Sequence, residues 1–229
     1  YANCTYFEIP KHYNNEWLNI KKFMIRPSNL YPDGFTQIGL PYGTHIGTLD
    51  IDCDVITGSI KDNGNVKIDN LYIKATKVVD SFTACDIKNI VFDNVKRVEG
   101  SFNNVGIDTN LLSLNIEYLK SSFSYVRLDK SILIDFPEII EHAEYSFNSN
   151  GVGALEEDGT SPIIEVDFSK AINMSTFYNM FNEAKNISSA DLSMCYNLKY
   201  FCGFQQTGIK SLKLPDGLVN CQVILTKFR

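Results

Sequence analysis

Apolar and polar positions along the chain follow a short pattern that recurs. An isolated Phe is followed ten to twelve residues later by the apolar end of an alternating triplet: Phe82 by Phe92, Phe102 by Leu114, Phe123 by Ile134, Phe181 by Leu192 and Phe204 by Leu214. A small residue stands just before most of these aromatics: Ser81, Ser101, Ser122, Ser146 before Phe147, and Gly203. Phe82, Phe102, Phe123 and Phe147 are 20, 21 and 24 residues apart, and Phe181 to Phe204 is 23. The step from Phe147 to Phe181 is 34 and contains the polar stretch 148–162, which reads as an insertion in one turn. A period in the low twenties, with one aromatic and one short strand per period, signals a stacked solenoid, because no single turn can bury its apolar side alone.

The pattern predicts parallel strands at about 49–51, 71–73, 90–92, 112–114, 132–134, 164–166, 190–192 and 212–214, with 223–225 as a further terminal strand. Eight strands spaced by about 4.8 Å make a stack roughly 35 to 40 Å long. The expected fold is an α/β or mainly β solenoid of about eight turns of 20–24 residues, with one parallel sheet and the Phe column as its internal spine. Residues 1–45 break the register and read either as an amino-terminal cap or as irregular first turns, with Phe23 to Ile25 as a strand. Residues 46–229 form the solenoid proper. The stretch 61–67, with Asn63 and Gly64, is a tight-turn signal.

Three segments carry a family resemblance. Ile209 to Leu218 (IKSLKLPDGL), Asp191 to Phe201 (DLSMCYNLKYF) and Ser81 to Phe92 (SFTACDIKNIVF) resemble the leucine-rich repeats of the BspA type, in which a small residue and Phe precede a Cys or its substitute and a strand ending in Leu-Pro. The resemblance covers about residues 46 to 225. Only the last repeat keeps Leu214-Pro215 cleanly, Phe136-Pro137 is a variant of it, and the turn around 148–162 departs from the pattern. It implies a surface or secreted protein of the kind found on gut and oral bacteria and some parasitic protists, acting as an adhesin or binding module, and it brings no shared catalytic residues. On that basis the expected location is extracellular or on a bacterial cell surface.

Composition narrows the classes of partner. A net charge of −6 with four Arg argues against a sequence-independent grip on nucleic acid, which needs clustered cations. No run of 18 apolar residues offers a membrane-spanning segment. The chain begins Tyr1-Ala2-Asn3 rather than with Met, and an upstream portion is expected. Six Cys without a CxxC pair, and three widely spaced His (His12, His45, His142), point to buried single thiols rather than zinc or disulfides. No cofactor fingerprint or catalytic motif is present.

On a solenoid sheet the residues flanking the apolar strand end face outward. Before it stand Val91, Ser113, Leu133, Glu165, Asp191 and Lys213, and after it Asp93, Asn115, Asp135, Asp167 and Ser193. Asp93, Asn115, Asp135, Glu165, Asp167 and Asp191 are therefore the candidate ligand-binding residues of a concave face, for a protein or glycan; the competing reading is a solvated acidic edge that resists aggregation. Glu156, Glu157 and Asp158, between Gly153 and Gly159, form an acidic loop tip suited to partner contact but too flexible for paired-carboxylate hydrolysis. Asp50, Asp52 and Asp54 imitate the opening of a calcium loop, yet Val55 stands where Gly is needed and Lys61 where a bidentate Glu belongs. The expected function is a non-enzymatic binding or adhesion module. The alternatives are a structural or receptor-binding component of an assembly such as a phage tail, and a parallel β-helix enzyme acting on polysaccharide.

Overall fold

A computed structural model describes residues 6–8, 18–25, 37–61, 66–128, 130–149, 162–218 and 220–221. They form a parallel β-solenoid of about eight turns, and no helix occurs among them. The expected solenoid is present, but the expected single sheet is not: each turn contributes to two strand-bearing faces, joined by an aromatic corner.

The first face begins with long strands. Leu18–Ile25, Thr44–Asp52, Val66–Lys74 and Asp86–Phe92 pair in parallel and continue into the short strands Gly106–Ile107 and Arg127–Leu128. Leu18–Ile25 is thus a rung of this sheet. Strict alternation fails in the middle of these strands. Ile46 and Leu49 are both fully buried with two less buried residues between them, and Ile68 and Leu71 repeat that spacing one turn on. A period of two cannot place residues three apart on one side, so the strand bends there, giving the face two arms. In later turns the second arm stands alone: Leu111–Ser113, Ile132–Asp135 and Ile164–Asp167 form one sheet, and Ser189–Asp191 with Ser211–Lys213 another.

The second face is a continuous eight-stranded sheet: Val55–Thr57, Lys77–Val79, Val95–Glu99, Ile116–Lys120, His142–Glu144, Thr176–Met180, Tyr200–Gly203 and Asn220–Cys221. Its inward column is Ile56, Val78, Val98, Leu119, Ala143, Phe177 and Phe201, all buried. These strands escaped the periodic reading because Val55–Thr57, Lys77–Val79 and His142–Glu144 are three residues long with one buried residue each, too short to show alternation.

The corner after this sheet holds the spine. The rings of Phe82, Phe102, Phe123, Phe147, Phe181 and Phe204 stack face to face at 4.9 to 5.5 Å, with interplanar angles of 5 to 9°. All six residues have φ between +56 and +59°. That region is costly for a bulky side chain, by about 1–3 kcal/mol each, so burial and stacking of the rings offset a repeated backbone strain. The turn chemistry repeats as well: Asp80 and Ala84, or Tyr145 and Ser149, flank the Phe two residues away on each side and are also left-handed.

The small residue before the Phe has a defined role. The N–H of Ser59, Ser81, Ser101 and Ser122 each donates to the hydroxyl oxygen of the next turn's serine at 3.1 Å. Ser81, Ser101, Ser122 and Ser146 each donate their own hydroxyl to the carbonyl two residues back. A buried amide and a buried carbonyl are satisfied by one short side chain, which no apolar residue of that size could do. The ladder ends where Ser146 N–H meets the Met180 sulfur at 3.4 Å.

Candidate functional site

The six acidic and amide residues singled out by sequence do not act together. Asp135 and Asp167 are in register on adjacent rungs, with Ser113 beyond Asp135. Asp135 accepts from the Ser113 hydroxyl at 3.2 Å and lies 3.5 Å from Lys170 Nζ. Asp167 accepts the Ser169 N–H at 2.8 Å, and hydrogen bonding by Ser169 lowers its pKa. Asp191 repeats this arrangement. It takes Lys213 Nζ at 2.7 Å, the Ser193 hydroxyl at 2.6 Å and the Ser193 N–H at 3.0 Å, and these bonds, Lys213 first, hold its carboxyl down at about 2. Both aspartates close a turn two residues long, which is a scaffold task.

Glu165 is exposed and pairs in register with Leu133, two positions along the strand from the Asp135–Asp167 column. The repeat pattern groups Asp191 with Glu165, but its strand runs Ser189–Asp191 with Ala190 inward, and its turn chemistry matches Asp167. Asn115 donates to the Phe92 carbonyl at 3.3 Å, and Asp93 is exposed. Glu156, Glu157 and Asp158, and the strand expected at 223–225, lie outside the described residues. Of the calcium-like triplet, Asp52 pairs with Lys74 at 3.3 Å and Asp54 accepts from the Thr76 hydroxyl. Among the described residues no three His, Cys, Asp or Glu gather in a way that could hold a metal ion.

A different feature stands out on the first face. Cα register aligns Met24, Asp50, Tyr72 and Val91 across four long strands, on the outward side of the second arm. In that column Met24, Tyr72 and Val91 are 44 to 48% exposed, with Asp50 between Met24 and Tyr72, and Leu111 on the next turn is 50% exposed. Two open depressions, of about 770 and 620 Å³, lie over this line and share Tyr72, Val91 and Phe92. Asp93 lines the first and Asn115 the second, so two of the sequence candidates belong here. Along the bend the amides are fixed: Asn70 Nδ2 donates to the Gly47 carbonyl at 3.1 Å, and Asn89 Nδ2 donates to Asn70 Oδ1 at 3.1 Å.

In the sequence Tyr72 is only the middle of the apolar triplet Leu71-Tyr72-Ile73. Alternation alone would have turned it outward; what singles it out is the company it keeps on neighbouring turns. The second face also carries an outward aromatic line, which depends on strands the periodic reading missed. Arg97 sits 4.1 Å over the Tyr118 ring, Tyr118 lies 5.6 Å from His142, and His142 Nδ1 is hydrogen-bonded to Thr176 Oγ1 at 3.2 Å. Tyr145 and Tyr178 pack edge to face at 5.2 Å. These rings contact one another, whereas no ring contact is made by Tyr72 among the described residues.

Cys53, Cys85, Cys195 and Cys202 are buried free thiols, as expected, and burial pushes Cys85 and Cys195 up to about 12. No helix is long and apolar enough to cross a membrane among the described residues. A scan against protein-family models, a search of curated proteins and a search of solved structures each found no match.

Proposed function

We propose that this chain is a non-enzymatic binding or adhesion module that presents a ligand surface on a rigid repeat scaffold, of the leucine-rich-repeat kind its motifs resemble, on a cell surface or in a secreted protein. The observation that carries the reading is the pair of confluent depressions around Tyr72 and Val91, built over the long strands of the first face. A solenoid holds such a surface at little entropic cost, because the strand Val66–Lys74 that carries Tyr72 is already paired on both sides. The acidic side chains fit this role better than catalysis. Hydrogen bonds stabilise Asp167 and Asp191 as carboxylates, whereas a general acid needs the opposite shift.

An array carrying both oligosaccharides and peptides tests the reading. The expected result is saturable binding that is reduced when Tyr72 is replaced by Ala, with the bound oligosaccharides recovered intact by mass spectrometry. An array without signal in either half would overturn the binding role, and shortened sugars would overturn the non-enzymatic one.

A further inference from the structure

We infer that the groove over Tyr72 accepts a neutral oligosaccharide lying along the stack axis, across the strands; this deepens the binding-module reading and rests on it. The groove crosses successive turns, so a ligand following it meets equivalent positions about every 4.8 Å, close to the advance of one hexopyranose unit in a β-linked chain. Sugars present apolar C–H faces bordered by hydroxyls. The site supplies the complement: the apolar line through Tyr72, Val91 and Leu111, flanked by short side chains that bond hydroxyls. The amides of Asn70 and Asn89 are already oriented by the bonds that tie them to each other and to Gly47, so little rotamer freedom is lost on binding.

Charge decides between a sugar and a peptide. The second depression is lined by amides, hydroxyls, one phenol and apolar groups, with no charged side chain among the described residues. The first is lined by Lys22, Asp50, Asp52, Lys74 and Asp93 as well as by Tyr72 and Val91, with Lys74 and Asp52 paired at 3.3 Å. The second depression, where Tyr72, Val91 and Leu111 gather, thus offers no charge to a basic or acidic peptide, and the carboxylates of the first can accept from sugar hydroxyls. Nor can a peptide add as a strand along Thr44–Asp52 or Val66–Lys74, because both backbones are paired with neighbours on both sides.

The test is calorimetric titration of the full chain with cellohexaose, xylohexaose, laminarihexaose and chitohexaose at low and high salt. At least one should bind, with an affinity insensitive to salt, and Tyr72→Ala should weaken it by about tenfold or more. Val91→Lys, which places a long charged chain in the groove, should do the same, while Tyr200→Ala on the other face should leave it unchanged. Thermal melts of each variant separate loss of binding from loss of fold. If none of the four binds, or if Tyr72→Ala and Val91→Lys leave the affinity within about twofold, the carbohydrate assignment is overturned. In that event, peptide binding that depends on Tyr72 leaves the binding-module reading standing, and no binding to sugars or peptides overturns both.

Discussion

The N–H of Ser101 donates to Oγ of Ser122 at 3.1 Å, and the Ser122 hydroxyl donates in turn to the Lys120 carbonyl at 2.8 Å. One buried side chain therefore settles two backbone groups on different turns. Ser122→Ala leaves both without that partner in a dry corner, and should cost about 1–3 kcal/mol. Ser113→Ala removes an exposed hydroxyl bonded to Asp135 and should stay within about 0.5 kcal/mol. Urea unfolding of the two variants would disprove the ladder's importance if their midpoints fell together.

The ring stack makes a second, sharper prediction. Phe123 lies between Phe102 at 4.9 Å and Phe147 at 5.1 Å, fully buried. Phe123→Ala should cost about 3–5 kcal/mol through the cavity it leaves. Because φ at this residue is +56°, Phe123→Gly should be more stable than Phe123→Ala by about 1 kcal/mol, despite removing one more carbon. An Ala variant as stable as the Gly variant would show that the left-handed corner relaxes once the ring is gone.

Asp191 and Lys213 give a titration with a definite sign. The folded carboxyl is held at about 2, below its ordinary value, chiefly by the Lys213 hydrogen bond. The contribution to stability is therefore complete above the unfolded carboxylate value of about 4 and is lost as pH falls from there toward about 2. Carboxyl-carbon NMR should show the low midpoint, and Lys213→Ala should move it upward. The pair is exposed, so high salt should weaken the shift. A midpoint indifferent to Lys213 would assign the shift to Ser193 instead.

Burial raises the Cys85 and Cys195 thiols to about 12. Native protein at about pH 8 should thus leave both unalkylated by iodoacetamide, while denatured protein reacts at both. Peptide mass spectrometry reads the result directly; equal modification in the two states would mean that these turns open readily.

Much of the scaffold was readable because its signal is repeated and local. Phe82, Phe102 and Phe123 recur once per turn because interior stacking demands one ring per turn, and the apolar residues Leu71, Ile90 and Ile134 fell within strands as expected. The second face was not readable. His142–Glu144 offers only Ala143 to the core, and Lys77–Val79 only Val78, so neither shows a period of its own. The candidate site was readable in part: Asp93 and Asn115 line the groove, while Asp167 and Asp191 turned out to hold turns closed.

The amino-acid sequence by itself determined that a solenoid forms, how many turns it has and which aromatic column fills it, because burial of a periodic apolar residue depends only on a repeat that the chain carries in full view. Only the tertiary structure decided which outward side chains share a surface. Asp50, Tyr72 and Val91 are about 20 residues apart in the chain, and they meet because the cross-turn hydrogen bonds put Asp50 opposite Tyr72 and Tyr72 opposite Val91. Such a register is a property of paired backbones, and a shift of one residue would have turned each of these side chains inward.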